Sequence, residues 1–138
     1  MNDQELKTLL QTAKTIAVVG ASNKPWRDSY GIMEYLIKEG YNVIPVNPAY
    51  EEVLGKKCYP DLRSIPEKID IVDIFRNPAE VMPIIDEAIA VGARAVWMQL
   101  TVVNEDAKKK AENAGLAVMM DRCILIEHRR LFRWSDGI

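Results

Sequence analysis

Thr15-Ile16-Ala17-Val18-Val19-Gly20-Ala21-Ser22-Asn23-Lys24-Pro25-Trp26-Arg27 is the stretch on which the reading of this chain turns. Its first five residues form a short, almost wholly apolar run, as expected of a parallel strand covered on both faces. A turn of small residues follows, and then a segment with helical spacing. Strand, turn and helix in that order open a βαβ unit.

The alternation continues outward from this stretch. Apolar runs recur at residues 42–47, 70–75, 93–98 and 116–120, and a weaker strand passes through Lys57-Cys58-Tyr59 until Pro60 ends it. Asp28 or Ser29 can cap a helix with Tyr30, Met33, Leu36 and Ile37 on one side and Gly40 at its end. Val81, Ile84, Ile85, Ala88 and Ile89 follow the spacing of a helix face that stops at Gly92. Pro83 would cost a hydrogen bond inside a helix, so regular helix is expected to start near Glu80. A third helix opens at Asn104-Glu105-Asp106, carries its lysines further on and stops at Gly115. Acid first and base last suits the helix dipole. Its expected inner face is Ala107, Ala111 and Ala114. The predicted fold is α/β: a Rossmann-like, doubly wound, mostly parallel sheet of five to six strands with helices on both faces. It is read as a single domain over residues 1–138. In such a sheet the ligand crevice lies beyond the carboxyl ends of the strands, where the strand order reverses.

Composition narrows the function. The chain has 138 residues, 49% of them hydrophobic, enough for a real core. Its formal net charge of -2 gives no global attraction to nucleic acid or to anionic lipid. No apolar run is long enough to span a membrane. The opening MNDQELKTLL is polar, breaks its apolar pattern early and lacks the basic-then-apolar order of a signal peptide. Two cysteines make neither a disulfide framework nor a four-ligand metal site. These features predict a reducing, cytoplasmic setting, with any anionic ligand held by a local site.

The turn after the first run is suited to such a ligand. Backbone N–H groups between a strand and a helix N-terminus attract phosphate, and the helix dipole adds to the effect. Ser22 can add a hydroxyl, and Lys24 and Arg27 can add charge. The dinucleotide fingerprint G-x-G-x-x-G is absent, since only Gly20 is in register. The acidic residue that would meet a ribose is replaced by Asn47-Pro48. No Gly-Lys-Ser/Thr follows, so this is not a Walker-type loop.

Five motifs then occur in order, each at the end of an expected strand. They are Val18-Val19-Gly20-Ala21-Ser22; Gly40-Tyr41 with Ile44-Pro45-Val46-Asn47-Pro48; Asp70-Ile71-Val72-Asp73-Ile74-Phe75-Arg76; Val96-Trp97-Met98-Gln99; and Asp121-Arg122-Cys123. Together they resemble the small stand-alone coenzyme A (CoA)-binding proteins, a family similar to the N-terminal domain of the succinyl-CoA synthetase α subunit. The resemblance implies that CoA lies across the strand ends. Gly20, Ala21 and Ser22 would meet its phosphates, and Asn47 and Pro48 would line the nucleotide crevice. Phe75 and Arg76 would border the adenine or pantetheine end, and Trp97 and Gln99 would sit near the outer end. The family usually continues Trp-x-Gln with a glycine and an apolar residue. Here Gln99-Leu100-Thr101-Val102 puts a bulky residue in the glycine's place.

CoA carries a pyrophosphate and a 3′-phosphate, and Lys24, Arg27, Lys56, Lys57 and Arg76 all fall after strands or in nearby loops. The leading expectation is a binding, carrier or sensor module for CoA or an acyl-CoA rather than a complete enzyme, because the synthetases need further domains. A second reading is CoA-thiol or acyl-CoA chemistry at Cys123, beside Arg122 and near His128. The plainer reading of Cys123 is a small buried hydrophobe. A third, NAD(P) binding, rests on the fold alone. His128 is expected as a surface or packing residue, and Asp70 and Asp73 as capping or pairing residues. The tail Leu131-Phe132-Arg133-Trp134 offers aromatics for docking on the domain, on a second copy or on a partner subunit.

Overall fold

Apolar runs this short bury both faces only if helices cover each side, and that is the arrangement found. The computed structural model describes residues 1–133. Five parallel strands form one sheet: β1 (Thr15–Val19), β2 (Asn42–Val46), β5 (Ile71–Ile74), β6 (Ala95–Met98) and β7 (Ala117–Met119). Their order is β2-β1-β5-β6-β7, so the progression reverses between β1 and β5. Side chains alternate between two core layers. Ile16, Val18, Val43, Ile71 and Trp97 face helices α1 (Asp3–Thr12), α2 (Asp28–Lys38) and α5 (Ile124–Phe132). Ala17, Val19, Ile44, Val72, Ile74, Val96 and Met98 face helices α3 (Val81–Ala90) and α4 (Glu105–Asn113).

Several local expectations need correction. The polar opening is helix α1, fixed by a reciprocal capping box between Asn2 and Glu5 and buried through Leu6, Leu9 and Leu10. Arg27, not Asp28 or Ser29, is the N-cap of α2, and no side chain caps it. The inner face of α2 is Ser29, Ile32, Met33 and Leu36, leaving Tyr30 and Ile37 half-buried. Ala114 lies at the exposed end of α4, outside the face made by Ala107 and Ala111. Among the described residues the sheet has five strands, within the five to six expected. Lys57-Cys58-Tyr59 contributes a single parallel bridge from Tyr59 to Val46. Its lysine belongs to a separate antiparallel hairpin, β3 (Glu52–Val53) with β4 (Lys56–Lys57). Pro83 sits in the first turn of α3, where its missing N–H costs nothing.

The tail turns inward over its described part. Leu131 is buried, and Phe132 packs at 4.6 Å between ring centres on His128. Trp134 lies outside the described residues. His128 is a packing residue: it is buried, and its Nδ1 is 2.7 Å from the Tyr35 hydroxyl. Burial lowers its pKa, and Glu39 opposes this. Asp70 caps and pairs, accepting from the N–H groups of Lys14 and Thr15 and facing Arg94.

Asp73 does neither. It is 0% exposed, in register between Val18 of β1 and Trp97 of β6, and both of its oxygens lack a hydrogen-bond partner among the described residues. Burial drives its pKa well above the usual carboxylate range, which favours the neutral acid over the carboxylate in the folded protein.

Two outcomes follow from these positions. Gly20 has φ +88°, and a Cβ there would lie 2.3 Å from the Phe75 carbonyl oxygen. Gly20→Ala should cost about 2 kcal/mol or more in denaturant unfolding, from a left-handed backbone and a backbone clash together. For Asp73, the folded pKa exceeds the unfolded one, so the folded state binds more protons as pH rises past the unfolded value. Stability then falls by up to about 1.4 kcal/mol per pH unit until the folded pKa is reached. Asp73→Asn cannot ionise. Its stability relative to the parent should therefore rise between pH 4.5 and pH 7, and a pH-independent difference would contradict a buried neutral acid.

Candidate functional site

The carboxyl ends of β1, β5 and β6 open into a cavity of about 1200 Å3 at the point where the strand order reverses. Gly20, Phe75 and Gln99 line it, each being the first residue after its strand. Opposite them stands the start of α2, with Arg27, Asp28, Ser29 and Ile32.

The first loop is built to offer donors. The Gly20 N–H is used on Val46 O, which ties β1 to β2. The N–H groups of Ser22, Asp28 and Ser29 have no acceptor among the described residues, and all three residues line the cavity. Ser22 Oγ accepts from the Lys24 N–H, so its hydroxyl proton is free to donate outward. Lys24 and Arg27 stand on this rim, and Arg76 stands on the other, ion-paired with Glu80. Three cations and a set of N–H groups without acceptors among the described residues, around one opening, are an arrangement chemically suited to a polyanion.

The expected residues divide into those that line the cavity and those that brace its loops. Ser22, Lys24, Arg27, Phe75, Arg76 and Gln99 line the cavity with Gly20. Ala21 does not: it is fully buried, and its carbonyl accepts from Asn47 Nδ2 at 2.8 Å. Asn47 lines the cavity, but both ends of its amide are used, since Oδ1 accepts from the Ala49 N–H. It pins the loop and keeps one Nδ2 hydrogen uncommitted. Asn23 clamps the same loop to Glu52 O of the hairpin at 2.7 Å. Pro48 lines a second, smaller cavity of about 430 Å3, with Val46, Pro60, Pro83 and Ile84 as its apolar walls. The two cavities share Gly20, Asn47 and Arg76.

Trp97 is the clear displacement. It is fully buried in the core, and its indole N–H donates to Arg122 O, so it is not part of the cavity wall. Lys56 and Lys57 are also away from the cavity, with Lys57 lying over the Tyr59 ring. Cys123 is half-buried at the N-cap of α5 and lines the cavity, whereas His128 is turned to Tyr35 and Tyr41. In the Gln99-Leu100-Thr101 step, Leu100 takes the glycine's place without a left-handed backbone, and the left-handed residue is the next one. Thr101 has φ +71°, held by its N–H donating to Asp121 Oδ1 at 2.8 Å.

The sequence reading missed Trp26, Tyr50 and Leu125 as lining residues. Trp26 is 76% exposed. An exposed indole between Lys24 and Arg27 was the available signal, because a loop tryptophan flanked by cations has no core to enter. Among the described residues no group of three or more His, Cys, Asp or Glu is placed to hold a metal ion, and no helix is long and apolar enough to cross a membrane.

Residues 14–129 match the family described as CoA binding domain. The chain is 39% identical over 124 residues to Uncharacterized protein YneT of Bacillus subtilis, covering 90% of this chain and 92% of that one. It is 30% identical over 102 residues to Acetate--CoA ligase [ADP-forming] II of Archaeoglobus fulgidus. That match covers 72% of this chain but only 15% of the ligase, so the likeness is to one part of a much longer protein. A solved structure, a hypothetical protein from Pyrococcus horikoshii, superposes with a TM-score of 0.93 at 48% identity. It covers 95% of this chain and 92% of the Pyrococcus chain. The ordered motifs, the five-stranded sheet and these matches agree, and the chain belongs to the CoA-binding domain family.

Proposed function

We propose that this domain is a binding module for CoA or an acyl-CoA, held chiefly through the nucleotide and its phosphates. The observation that carries the reading is the loop and helix start at Ser22, Asp28 and Ser29. Their N–H groups have no acceptor among the described residues, and the three residues line a crevice rimmed by Lys24, Arg27 and Arg76. A pyrophosphate across Gly20 would meet these donors and Arg76 together. The smaller cavity, with three prolines, Val46 and Ile84, suits the flat adenine. The larger one leads past Phe75 toward Gln99 and Cys123 and suits the pantetheine arm.

A binding role is favoured over catalysis by what lines the crevice. The histidine is buried against Tyr35, and the neutral acid Asp73 is not part of the wall. Among the described residues no acid–base pair faces the space the ligand would fill. An NAD(P) reading fits less well, because the end of β2 carries Asn47 in place of the acidic residue that would accept from the ribose hydroxyls.

Calorimetric titration with CoA, acetyl-CoA, dephospho-CoA and NAD tests this. One CoA should bind per chain, more weakly without the 3′-phosphate, with no saturable NAD binding. Arg76→Ala should lower CoA affinity about tenfold or more, as expected for a charge-assisted bond to phosphate. It should barely change the melting temperature, since the exposed Arg76–Glu80 pair contributes only about 0.5 kcal/mol. Saturable NAD binding without CoA binding would replace the ligand.

A further inference from the structure

We propose that Cys123 reacts with the thiol end of the ligand, exchanging with CoA disulfide so that one CoA is held as a mixed disulfide with the protein. The proposal rests on the CoA reading above and adds a modification site to it.

Cys123 is placed by its two neighbours. Trp97 donates to Arg122 O at 2.8 Å, and the Ile124 N–H donates to Gln99 Oε1 at 3.1 Å. Both partners belong to the end of β6 or the residue after it, so Cys123 stands beyond β6. Two strand spacings separate β6 from β1, about 10 Å across the sheet. The pantetheine arm has as many chain atoms as about four residues and reaches up to ~14 Å when extended. With its phosphates at Gly20, CoA can therefore bring its sulfur to Cys123 with length to spare.

Gln99 independently marks this end as a ligand site. It is only 5% exposed, yet it lines the crevice. The group facing its bound end is an N–H, so that end is the carbonyl oxygen and the other is the NH2. That amide nitrogen has no acceptor among the described residues. A nearly buried donor pair without a partner, at the wall beside Cys123, fits the amide carbonyls of a pantetheine arm.

The second cysteine provides the contrast. Cys58 is buried and its Sγ lies 3.4 Å from Asn47 O, and burial pushes its thiol pKa up. Of the two cysteines, Cys123 alone lines the crevice.

The exchange needs no external oxidant. The Cys123 thiolate attacks one sulfur of CoA disulfide, and the S–S bond between the two CoA halves breaks. A new S–S bond joins Sγ to one CoA. The other CoA leaves as thiolate and takes up the proton that Cys123 gave to solvent, so the disulfide oxidation level is transferred and not created.

The test is incubation of the full chain with CoA disulfide or with glutathione disulfide at equal concentration, read by intact mass and peptide mapping. The expected result is one CoA adduct per chain on Cys123, released by dithiothreitol and formed at least tenfold faster than the glutathione adduct. An excess of S-methyl-CoA should suppress it. Cys58→Ser should be modified as the parent is, and Cys123→Ser should not be modified. Mapping of the unsubstituted protein locates the adduct even if a variant fails to fold. Calorimetric CoA binding without an adduct, an adduct on Cys58, or equal rates with the two disulfides would overturn the proposal and leave the CoA reading standing. Absence of CoA binding would remove the reading itself.

Discussion

The structure depends on one close approach: the backbone of Gly20 lies against the Phe75 carbonyl, where no Cβ can fit. This is where the strand order reverses, between β1 and β5. The Gly20 N–H also reaches across to Val46 of β2. One residue without a side chain therefore joins the ends of three strands and lets the chain turn sharply toward α2. The turn sets the direction in which Ser22 and the first N–H groups of α2 point. Arg76 follows Phe75 and has its side chain directly over the same spot, with Cδ 3.0 Å from where a Cβ on Gly20 would be. The anion-attracting character of the crevice is thus a consequence of backbone packing at the switch point.

Much of this was legible because buried parallel strands write continuous apolar runs. Thr15–Val19 is buried at every position, and the reading of a two-sided strand follows from that alone. The helix ends at Gly40, Gly92 and Gly115 were legible for a conformational reason, since all three have positive φ. Other parts were not legible for equally physical reasons. In α1 the buried stripe is only Leu6, Leu9 and Leu10 within a polar string, so its capping box was the stronger signal. The β3–β4 hairpin has strands of two residues, too short to carry a period. Asn47 was legible as a site residue but not as a brace. That role depends on Ala21 O and Ala49 N–H, which only the folded loop brings to it.

Trp97 shows the limit most clearly. Alternation places Trp97 and Gln99 on one face of β6, but it cannot say how far α5 extends over that face. Trp97 is covered completely within the layer that α1, α2 and α5 share, whereas Gln99 still lines the crevice. Two neighbouring side chains of one motif therefore acquire different tasks. The indole anchors the approach to α5 through Arg122 O, and the amide carbonyl receives the first N–H of α5. Each such bond adds only about 1 kcal/mol net, but leaving its buried partner unmet would cost more. The pair therefore specifies where α5 begins, and with it where Cys123 stands.

The rim beyond them is held against its own preference. Thr101 and Asp121 both have positive φ, a region that costs ordinary residues roughly 1–2 kcal/mol each and a β-branched residue more than most. The hydrogen bond between them offsets only part of that cost. The remainder must come from what the two loops place around them. Val102 is buried in the α3/α4 layer and its N–H donates to Gln99 O, so the chain cannot relax at Thr101 without pulling an apolar side chain out of the core. Strain persists where the surroundings over-determine it. Here they do so at the rim that carries Leu100, a leucine 51% exposed at the edge of the crevice. An arm laid along the crevice would meet a wall whose backbone is fixed by the core beneath it, so the shape of that end is set before any ligand arrives.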